Sequence, residues 1–120
     1  MHNQLAIVVE DEQDLALIFA HALADVGFRP EIFYDGGPAL SRLFEVVPAI
    51  VVLDMNLPNI TGEEVMELLR TDERLADVES IIVTGNPNKA QTYRNIANFV
   101  LVKPIGYSDL RDLAQRLYEK

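Results

Sequence analysis

The chain has 120 residues, of which 49% are apolar and 24% charged, and this composition suits one globular domain with a hydrophobic core rather than a disordered chain or a repeat array. Its formal charge of -9 disfavours direct contact with nucleic acid, because basic side chains must neutralise the phosphates. The absence of cysteine excludes disulfide bonds, thiolate metal sites and thiol nucleophiles. The apolar runs are too short to cross a membrane and no secretory leader follows Met1, so we expect a single soluble domain, residues 1–120, in the cytoplasm.

The first third of the chain predicts a strand, a helix, a second strand and a short helix. Leu5–Val9 is apolar throughout, as in a strand buried on both faces. Apolar residues then recur at helical spacing, at Leu15, Ile18, Phe19, Ala22, Leu23 and Val26. Gly27 ends that helix, and residues 31–34 predict a weaker strand followed by a turn at 35–38. The short helix after the turn has its apolar positions at Leu40, Leu43 and Phe44.

The middle of the chain contains an apolar run that ends in a carboxylate. Residues 49–54 read AIVVLD and predict a third buried strand with Asp54 at its carboxyl end. Thr61 and Glu64 have the spacing of a capping box, which predicts a helix beginning near Gly62. The apolar face of that helix comprises Val65, Met66, Leu68 and Leu69.

The last third repeats the alternation. Residues 80–84 and Phe99–Val102 predict strands, separated by a weakly amphipathic helix at 86–98. The closing helix has its apolar face at Leu110, Leu113, Ala114 and Leu117. Five strands alternating with five helices predict an α/β fold, a doubly wound parallel sheet covered by helices on both faces, because crossovers of this length return each strand parallel to the one before.

Polar residues follow the predicted strands at their carboxyl ends, which meet at one edge of a parallel sheet and form the usual ligand site there. These residues are Glu10, Asp11 and Glu12 after the first strand, Asp54 after the third, Thr84 and Gly85 after the fourth, and Lys103 and Pro104 after the fifth. Any one of them alone would suit a solvated surface position. Together they place several acids, a hydroxyl and an ammonium group in one region.

Convergence of these acids would be costly without a cation. Two carboxylates about 5 Å apart repel by about 3 kcal/mol at an effective dielectric constant near 20. A hard divalent ion with oxygen ligands removes that penalty, and Mg²⁺ suits a site with one or two carboxylates that keeps several waters. The sequence therefore predicts Mg²⁺ as the cofactor.

Five segments in this order also carry a family resemblance, namely IVVEDE, VVLDMNLPN, TGEEV, IIVTG and VKP. The chain resembles the receiver (CheY-like) domain of two-component response regulators nearly from end to end. The resemblance implies the flavodoxin-like strand order 2-1-3-4-5 that CheY-like sheets have. It also implies a signalling domain that catalyses only its own Mg²⁺-dependent phosphorylation and dephosphorylation, rather than an enzyme.

The resemblance assigns roles to the residues at the strand ends. Asp54 would be both a metal ligand and the nucleophile that accepts a phosphoryl group from a sensor histidine kinase or a phosphotransfer protein. Asp11 would be the main Mg²⁺ carboxylate and Glu10 its helper through water, while the backbone carbonyl of Asn56 would be a further ligand. Glu12 is better explained as a first-turn helix residue.

The basic and hydroxyl groups would complete the site. Lys103 would offset charge on the phosphoryl oxygens, and in the family a cis peptide before the proline at position 104 points this lysine inward. Thr84 would donate its hydroxyl to the phosphoryl group and move inward when the group arrives, while Gly85 next to it leaves space for the donor. This movement would switch an output surface on the fourth helix, fifth strand and fifth helix, read by an effector domain or downstream protein or by a phosphorylation-dependent homodimer.

The chain departs from the family pattern at two places. The position three residues before Lys103, commonly aromatic in the family, is Val100 here, with Phe99 beside it. The segment between Thr84 and Lys103 is also shorter than the family pattern, which predicts a short or displaced fourth helix. Both departures favour an alternative interpretation, a degenerate receiver that acts only as an interaction module. His2 and His21 receive no functional role.

Two other classes fit the residues poorly. A haloacid-dehalogenase-type phosphatase needs a second carboxylate two residues after its aspartate nucleophile, where this chain has Asn56. A flavodoxin-like cofactor binder needs hydroxyls and glycines after the first strand to bind phosphate, and the segment EDEQD would repel it.

Overall fold

The computed structural model describes residues 4–56 and 62–119, and Thr61 of the predicted capping box, together with His2, lies outside these ranges. The strands are β1 (Leu5–Val9), β2 (Arg29–Phe33), β3 (Ile50–Asp54), β4 (Glu79–Thr84) and β5 (Phe99–Val102). The helices are α1 (Gln13–Val26), α2 (Gly36–Leu43), α3 (Gly62–Thr71), α4 (Pro87–Arg94) and α5 (Tyr107–Tyr118). A 3-10 turn at Glu73–Leu75, which the sequence did not predict, precedes β4.

The five strands form one parallel sheet in the order β2-β1-β3-β4-β5, which confirms the predicted α/β fold and strand order. The chain leaves β1 towards β2 on one side and then crosses back to β3 on the other, so the order reverses between β1 and β3. Val9 at the end of β1 is paired with Leu53 near the end of β3. The residues that follow these two strands are therefore neighbours at the reversal point, where such sheets bind ligands.

Two apolar layers cover the sheet, because successive side chains of a strand point to opposite faces. On one face α1 and α5 cover Ala6, Val8, Ile50, Val52, Ile81 and Val83. On the other face α2, α3 and α4 cover Ile7, Val9, Val51, Leu53 and Ile82. All of these strand residues are at most 1% exposed, which explains why the inner strands read as unbroken apolar runs.

Two predicted helix faces need correction. In α1 the buried positions are Ala16, Phe19, Ala22 and Leu23. Ile18, predicted on this face, is 40% exposed. Phe44, predicted on the apolar face of α2, is 64% exposed because the helix ends at Leu43 and Phe44 lies at its carboxyl cap. The spacing of apolar residues along a helix does not by itself distinguish the buried positions from the exposed ones beside them.

The edge strand β2 runs from Arg29 to Phe33, two residues earlier than predicted at its start and one at its end. The N–H of Arg29 donates to the carbonyl of Gln4 at 2.5 Å, so the pairing of β2 with β1 begins at Arg29. Beyond the strand, the Asp35 side chain accepts from the N–H of Gly37 and caps α2, which begins at Gly36, so three of the four residues of the predicted turn are helical.

The fourth helix covers Pro87–Arg94, so it ends before the predicted bound at residue 98 and is short, as the shortened segment before Lys103 predicts. Only Ala90 and Tyr93 of this helix are buried. The chain then turns into β5, where the Asn98 side chain accepts hydrogen bonds from the N–H and the hydroxyl of Ser80 at 2.8 and 3.0 Å. A helix continued to residue 98 could not supply this side chain to the start of β4. In the described parts of the chain no helix has the length and apolar character needed to span a membrane.

Candidate functional site

Backbone hydrogen bonds continue the sheet past the strand ends and hold the predicted site residues. The N–H of Glu10 donates to Phe33 at 3.0 Å, and the N–H of Lys103 donates to the carbonyl of Thr84 at 2.8 Å. Beyond Asp54, the N–H of the next residue donates to Val83 at 3.1 Å. The backbone at each of these positions is therefore fixed by a neighbouring strand.

Three carboxylates converge where the strand order reverses. Glu10 and Asp54 are 1% and 2% exposed, whereas Asp11 is exposed. Each of the three offers an oxygen, and these oxygens all lie within 4.8 Å of one another. The structure thus brings together the three acids that the sequence proposed as metal ligands.

Lys103 supplies the cation of this site. Its Nζ lies 3.6 Å from Oε1 of Glu10 and 3.6 Å from Oδ2 of Asp54, and its side chain is 29% exposed. The Lys103–Pro104 peptide bond is cis, as the resemblance implies. One ammonium group facing three carboxylates leaves a net charge of about -2 when all are ionised.

The two buried carboxylates have incomplete hydrogen bonding. Oδ1 of Asp54 accepts from the N–H of Asn56 at 3.0 Å, and Oε2 of Glu10 accepts from the N–H of Glu12 at 3.2 Å. Oε1 of Glu10 is buried and, among the described residues, has no hydrogen-bond partner. Its nearest cation is Lys103, at 3.6 Å. A buried charged oxygen without a donor is costly, so this atom is a natural ligand for a cation or its bound water.

Burial raises the pKa of Glu10 from 4.5 to about 8, and the charge of Asp54 acts in the same direction. The N–H of Glu12 and the ammonium of Lys103 lower this pKa without cancelling the rise. Burial and the excess negative charge of the cluster thus favour the protonated form of Glu10, whereas a bound cation would favour its ionised form.

The oxygen cluster fits Mg²⁺ on the basis of its donor chemistry. Mg²⁺ binds oxygen at about 2.1 Å, so direct ligands lie no more than about 4.2 Å apart. Separations that extend to 4.8 Å allow two direct carboxylates and a third that acts through water. Asp11 and Asp54 would be the direct ligands and Glu10 the water-mediated one. A divalent ion would also bring the net charge of the site close to zero.

Thr84 ends β4 beside this cluster and is 5% exposed. Its Oγ1 accepts from the N–H of Asn86 at 3.0 Å, which leaves the hydroxyl proton available to a second partner. Asp54 is paired with Val83, so Thr84 lies one residue beyond the partner of Asp54 on the adjacent strand. A Cβ built on Gly85 would have no neighbour within 4 Å, which agrees with the open space expected there.

Comparisons with known proteins agree with this arrangement. Residues 6–115 match the family model described as response regulator receiver domain. The chain belongs to this family. Receiver domains are signalling domains rather than metabolic enzymes, and they interact with histidine kinases and effector domains.

Individual relatives extend over most of this receiver domain. The chain is 30% identical to the probable methanogenesis regulatory protein FilR2 of Methanothrix harundinacea, over 96% of the chain and 81% of the relative. Its structure matches the chemotaxis response regulator CheY4 of Vibrio cholerae with a TM-score of 0.85 and 25% identity, over 97% and 99% of the two chains. It also matches the response regulator TrrA of Thermotoga maritima, solved in complex with Mg(2+)-BeF, with a TM-score of 0.82 and 23% identity over 95% and 98%. The chain spans only 19 to 49% of the length of four further curated relatives.

Val100, which departs from the family pattern, and its neighbour Phe99 pack on opposite faces of the sheet. Phe99 packs in the layer of α1 and α5, whereas Val100 packs in the layer of α2, α3 and α4. Phe99 therefore cannot replace an aromatic side chain at position 100, since the two residues lie on opposite faces of the sheet. The aromatic residues described in the layer of Val100 include Tyr93 of α4, which is 6% exposed.

Sequence reasoning missed two contributors to the site. The N–H of Glu12 holds Glu10, although the Glu12 side chain is exposed, and no side-chain pattern signals such a backbone donor. Gly62 begins α3 against the end of β3, and a Cβ there would lie 2.9 Å from Cα of Met55. The glycine in TGEEV was the available signal for this close approach.

Proposed function

We propose that this receiver domain, residues 1–120, is a phosphoacceptor, in which Asp54 takes a phosphoryl group from a sensor histidine kinase or phosphotransfer protein in the presence of Mg²⁺. The observation that carries the proposal is the placement of Lys103, whose ammonium lies 3.6 Å from both buried carboxylates. A purely structural cluster would not pair one lysine with two buried acids and an additional exposed one, because the excess charge opposes folding.

The transfer forms one bond and breaks another at phosphorus. An Asp54 carboxylate oxygen attacks the phosphorus of a donor phosphohistidine that is protonated on its other ring nitrogen. The phosphorus–nitrogen bond breaks, its electron pair stays on nitrogen, and neutral imidazole leaves. Lys103 offsets charge on the phosphoryl oxygens, and the Thr84 hydroxyl donates a hydrogen bond to one of them. Mg²⁺ bound by Asp11, Asp54 and the Asn56 carbonyl, with Glu10 acting through water, would supply further charge neutralisation. The Mg(2+)-BeF complex of TrrA supports this part of the proposal.

The output surface would be formed by α4, β5 and α5. All four residues of β5, an edge strand of the sheet, are half-buried. A groove of about 690 Å³ lies along this region and includes Arg94, Val100 and Arg116 in its wall. Movement of Thr84 would shift α4 through Asn86, which links the phosphoryl group to this groove. An effector domain, a downstream protein or a second copy of the chain would read the change in the cytoplasm.

Treatment with acetyl phosphate and Mg²⁺ tests the assignment. The wild type should gain one phosphoryl group by intact-protein mass spectrometry, and EDTA should prevent the gain. Asp54→Asn should gain none, while Asp112→Asn, a change at an exposed surface acid, should behave as the wild type. Equal incorporation in Asp54→Asn and the wild type would rule out the assigned nucleophile.

The second candidate function is that of a degenerate receiver that binds partners without regulated phosphorylation. The observation that favours it is Val100, which leaves β5 without the aromatic side chain common in the family. A protein that takes up no phosphoryl group, but binds a partner equally well with and without Mg²⁺ and donor, would establish this alternative.

A further inference from the structure

A small polar cavity opens beside the site, between α3 and α4. Its volume is about 280 Å³. The residues that line it are Met55, Asn56, Glu63, Thr84, Gly85, Asn86, Lys89 and Tyr93. Ligand pockets for drug-sized molecules have about 300 to 1,000 Å³, so this cavity accommodates only a small group.

The cavity adjoins the proposed nucleophile. Asn56 donates its N–H to Asp54 at 3.0 Å, and Thr84 ends the strand paired with β3, so both residues belong to the site and to the cavity wall. A group that departs from phosphorus near Asp54 therefore has the space of this cavity beside it.

The cavity has one charged side chain of each sign. Glu63 lies in the first turn of α3 and Lys89 in the first turn of α4, and both are exposed. Within residues 4–56 and 62–119 neither forms an ion pair. Each charge is thus free to act on a molecule that enters the cavity.

We propose that this cavity receives the leaving group of the phosphoryl donor, and that Lys89 and Glu63 select donors by the charge of that group. The inference rests on the proposed phosphoacceptor function and concerns specificity residues rather than the nucleophile. The donor classes that it distinguishes are acyl phosphates and nitrogen-linked phosphates such as phosphohistidine.

The two donor classes differ in the charge of the departing group, which becomes negative in one class and loses a positive charge in the other. In both, an oxygen of Asp54 bonds to phosphorus. An acyl phosphate loses its phosphorus–oxygen bond and releases a carboxylate, which gains negative charge that Lys89 stabilises. A nitrogen-linked donor reacts in its N-protonated form, and the phosphorus–nitrogen bond breaks with its electron pair returning to nitrogen to release a neutral amine or imidazole. Glu63 favours that protonated donor and Lys89 disfavours it.

The test compares rates of phosphorylation by acetyl phosphate and by phosphoramidate, both with Mg²⁺. A unit charge about 6 Å from the leaving group, in a wet cavity with a dielectric constant of about 40 to 80, changes a rate by about 3- to 10-fold. Lys89→Gln should lower the acetyl phosphate rate relative to the phosphoramidate rate by this factor. Glu63→Gln should raise the same ratio by a similar factor.

The matched controls remove the same kinds of charge outside the cavity. Glu67→Gln and Arg70→Gln, both at exposed positions of α3, should leave the ratio within about twofold of the wild type, because screening weakens more distant exposed charges. The shifts caused by Lys89→Gln and Glu63→Gln should also shrink at about 1 M salt, where the Debye length is about 3 Å. A merely structural role of either residue would not produce this salt dependence.

Each outcome has a definite meaning. Opposite shifts of the ratio in the two cavity variants, absent from the controls, would support the inference. An unchanged ratio, or equal shifts in the controls, would overturn the inference and leave the phosphoacceptor function in place. If the wild type accepts no phosphoryl group from either donor, the proposed function fails as well.

Discussion

The charge of the acidic site predicts that Mg²⁺ stabilises the fold and that Asp11 carries much of the effect. Asp11→Asn removes one carboxylate from a site that has three, together with a single lysine. Asp11 is exposed, so the substitution should leave the core intact. We therefore expect Mg²⁺ to raise the melting temperature of the wild type and to raise that of the variant much less.

The magnitude follows from the charge of the site. For a dissociation constant of about 1 mM, 10 mM Mg²⁺ stabilises the fold by about 1.4 kcal/mol, which corresponds to roughly 5 °C for a domain of this size. A carboxylate about 4 Å from a divalent ion contributes about 2 kcal/mol of attraction even at the dielectric constant of water. Its loss weakens binding more than tenfold, which reduces the stabilisation to about 0.4 kcal/mol or less and the shift to about 1 °C.

Thermal unfolding followed by circular dichroism measures both shifts, with Mg²⁺ or EDTA at constant ionic strength. Asp14→Asn is the matched control, because Asp14 is an exposed acid in the first turn of α1 and does not belong to the cluster. The control should keep the wild-type shift. Equal shifts in the wild type and Asp11→Asn would refute the assigned metal site.

Two further predictions concern stability. The pKa of Glu10 is raised from 4.5 in the unfolded state to about 8 in the folded state, so between these pH values the folded state holds a proton that the unfolded state releases. Without Mg²⁺, the free energy of unfolding should therefore decrease as the pH rises through this range, by up to about 1.4 kcal/mol per pH unit. Urea denaturation in EDTA at pH 5 to 8 should show this loss in the wild type and a smaller one in Glu10→Gln; parallel profiles would contradict it. Gly62→Ala should destabilise by about 1 to 3 kcal/mol, since the new Cβ would lie 2.9 Å from Cα of Met55, and this strain exceeds a helix-propensity gain below about 1 kcal/mol. Gly85→Ala, whose Cβ would enter open space, should change stability by no more than about 0.5 kcal/mol, and equal urea midpoints for the two variants would disprove the proposed close contact.

The meeting of the acids was predictable from the sequence because it depends on periodicity and strand direction. Glu10, Asp54 and Thr84 each end or follow an apolar run typical of a buried parallel strand, and such strands present their carboxyl ends at one edge of the sheet. The strand order was not predictable from these patterns alone and came from the family resemblance. The roles of Asn56 as a carbonyl ligand and Thr84 as a phosphoryl donor stay predictions.

Packing between distant segments decided the features that local patterns described wrongly. Helix α4 ends at Arg94, and Asn98 beyond it accepts hydrogen bonds from Ser80, a contact between residues 18 positions apart. The 40% exposure of Ile18 depends on which side of α1 meets the sheet, which helical spacing leaves undetermined.

The sequence by itself determined the alternation of strands and helices and the chemical groups at the strand ends, because each depends on neighbours along the chain. Only the tertiary structure decided that Lys103 lies 3.6 Å from both Glu10 and Asp54, that Oε1 of Glu10 has no donor among the described residues, and that Glu63 and Lys89 share a cavity. Distances, burial and charge balance of this kind arise when separate strands and helices pack together, and no spacing within one segment encodes them.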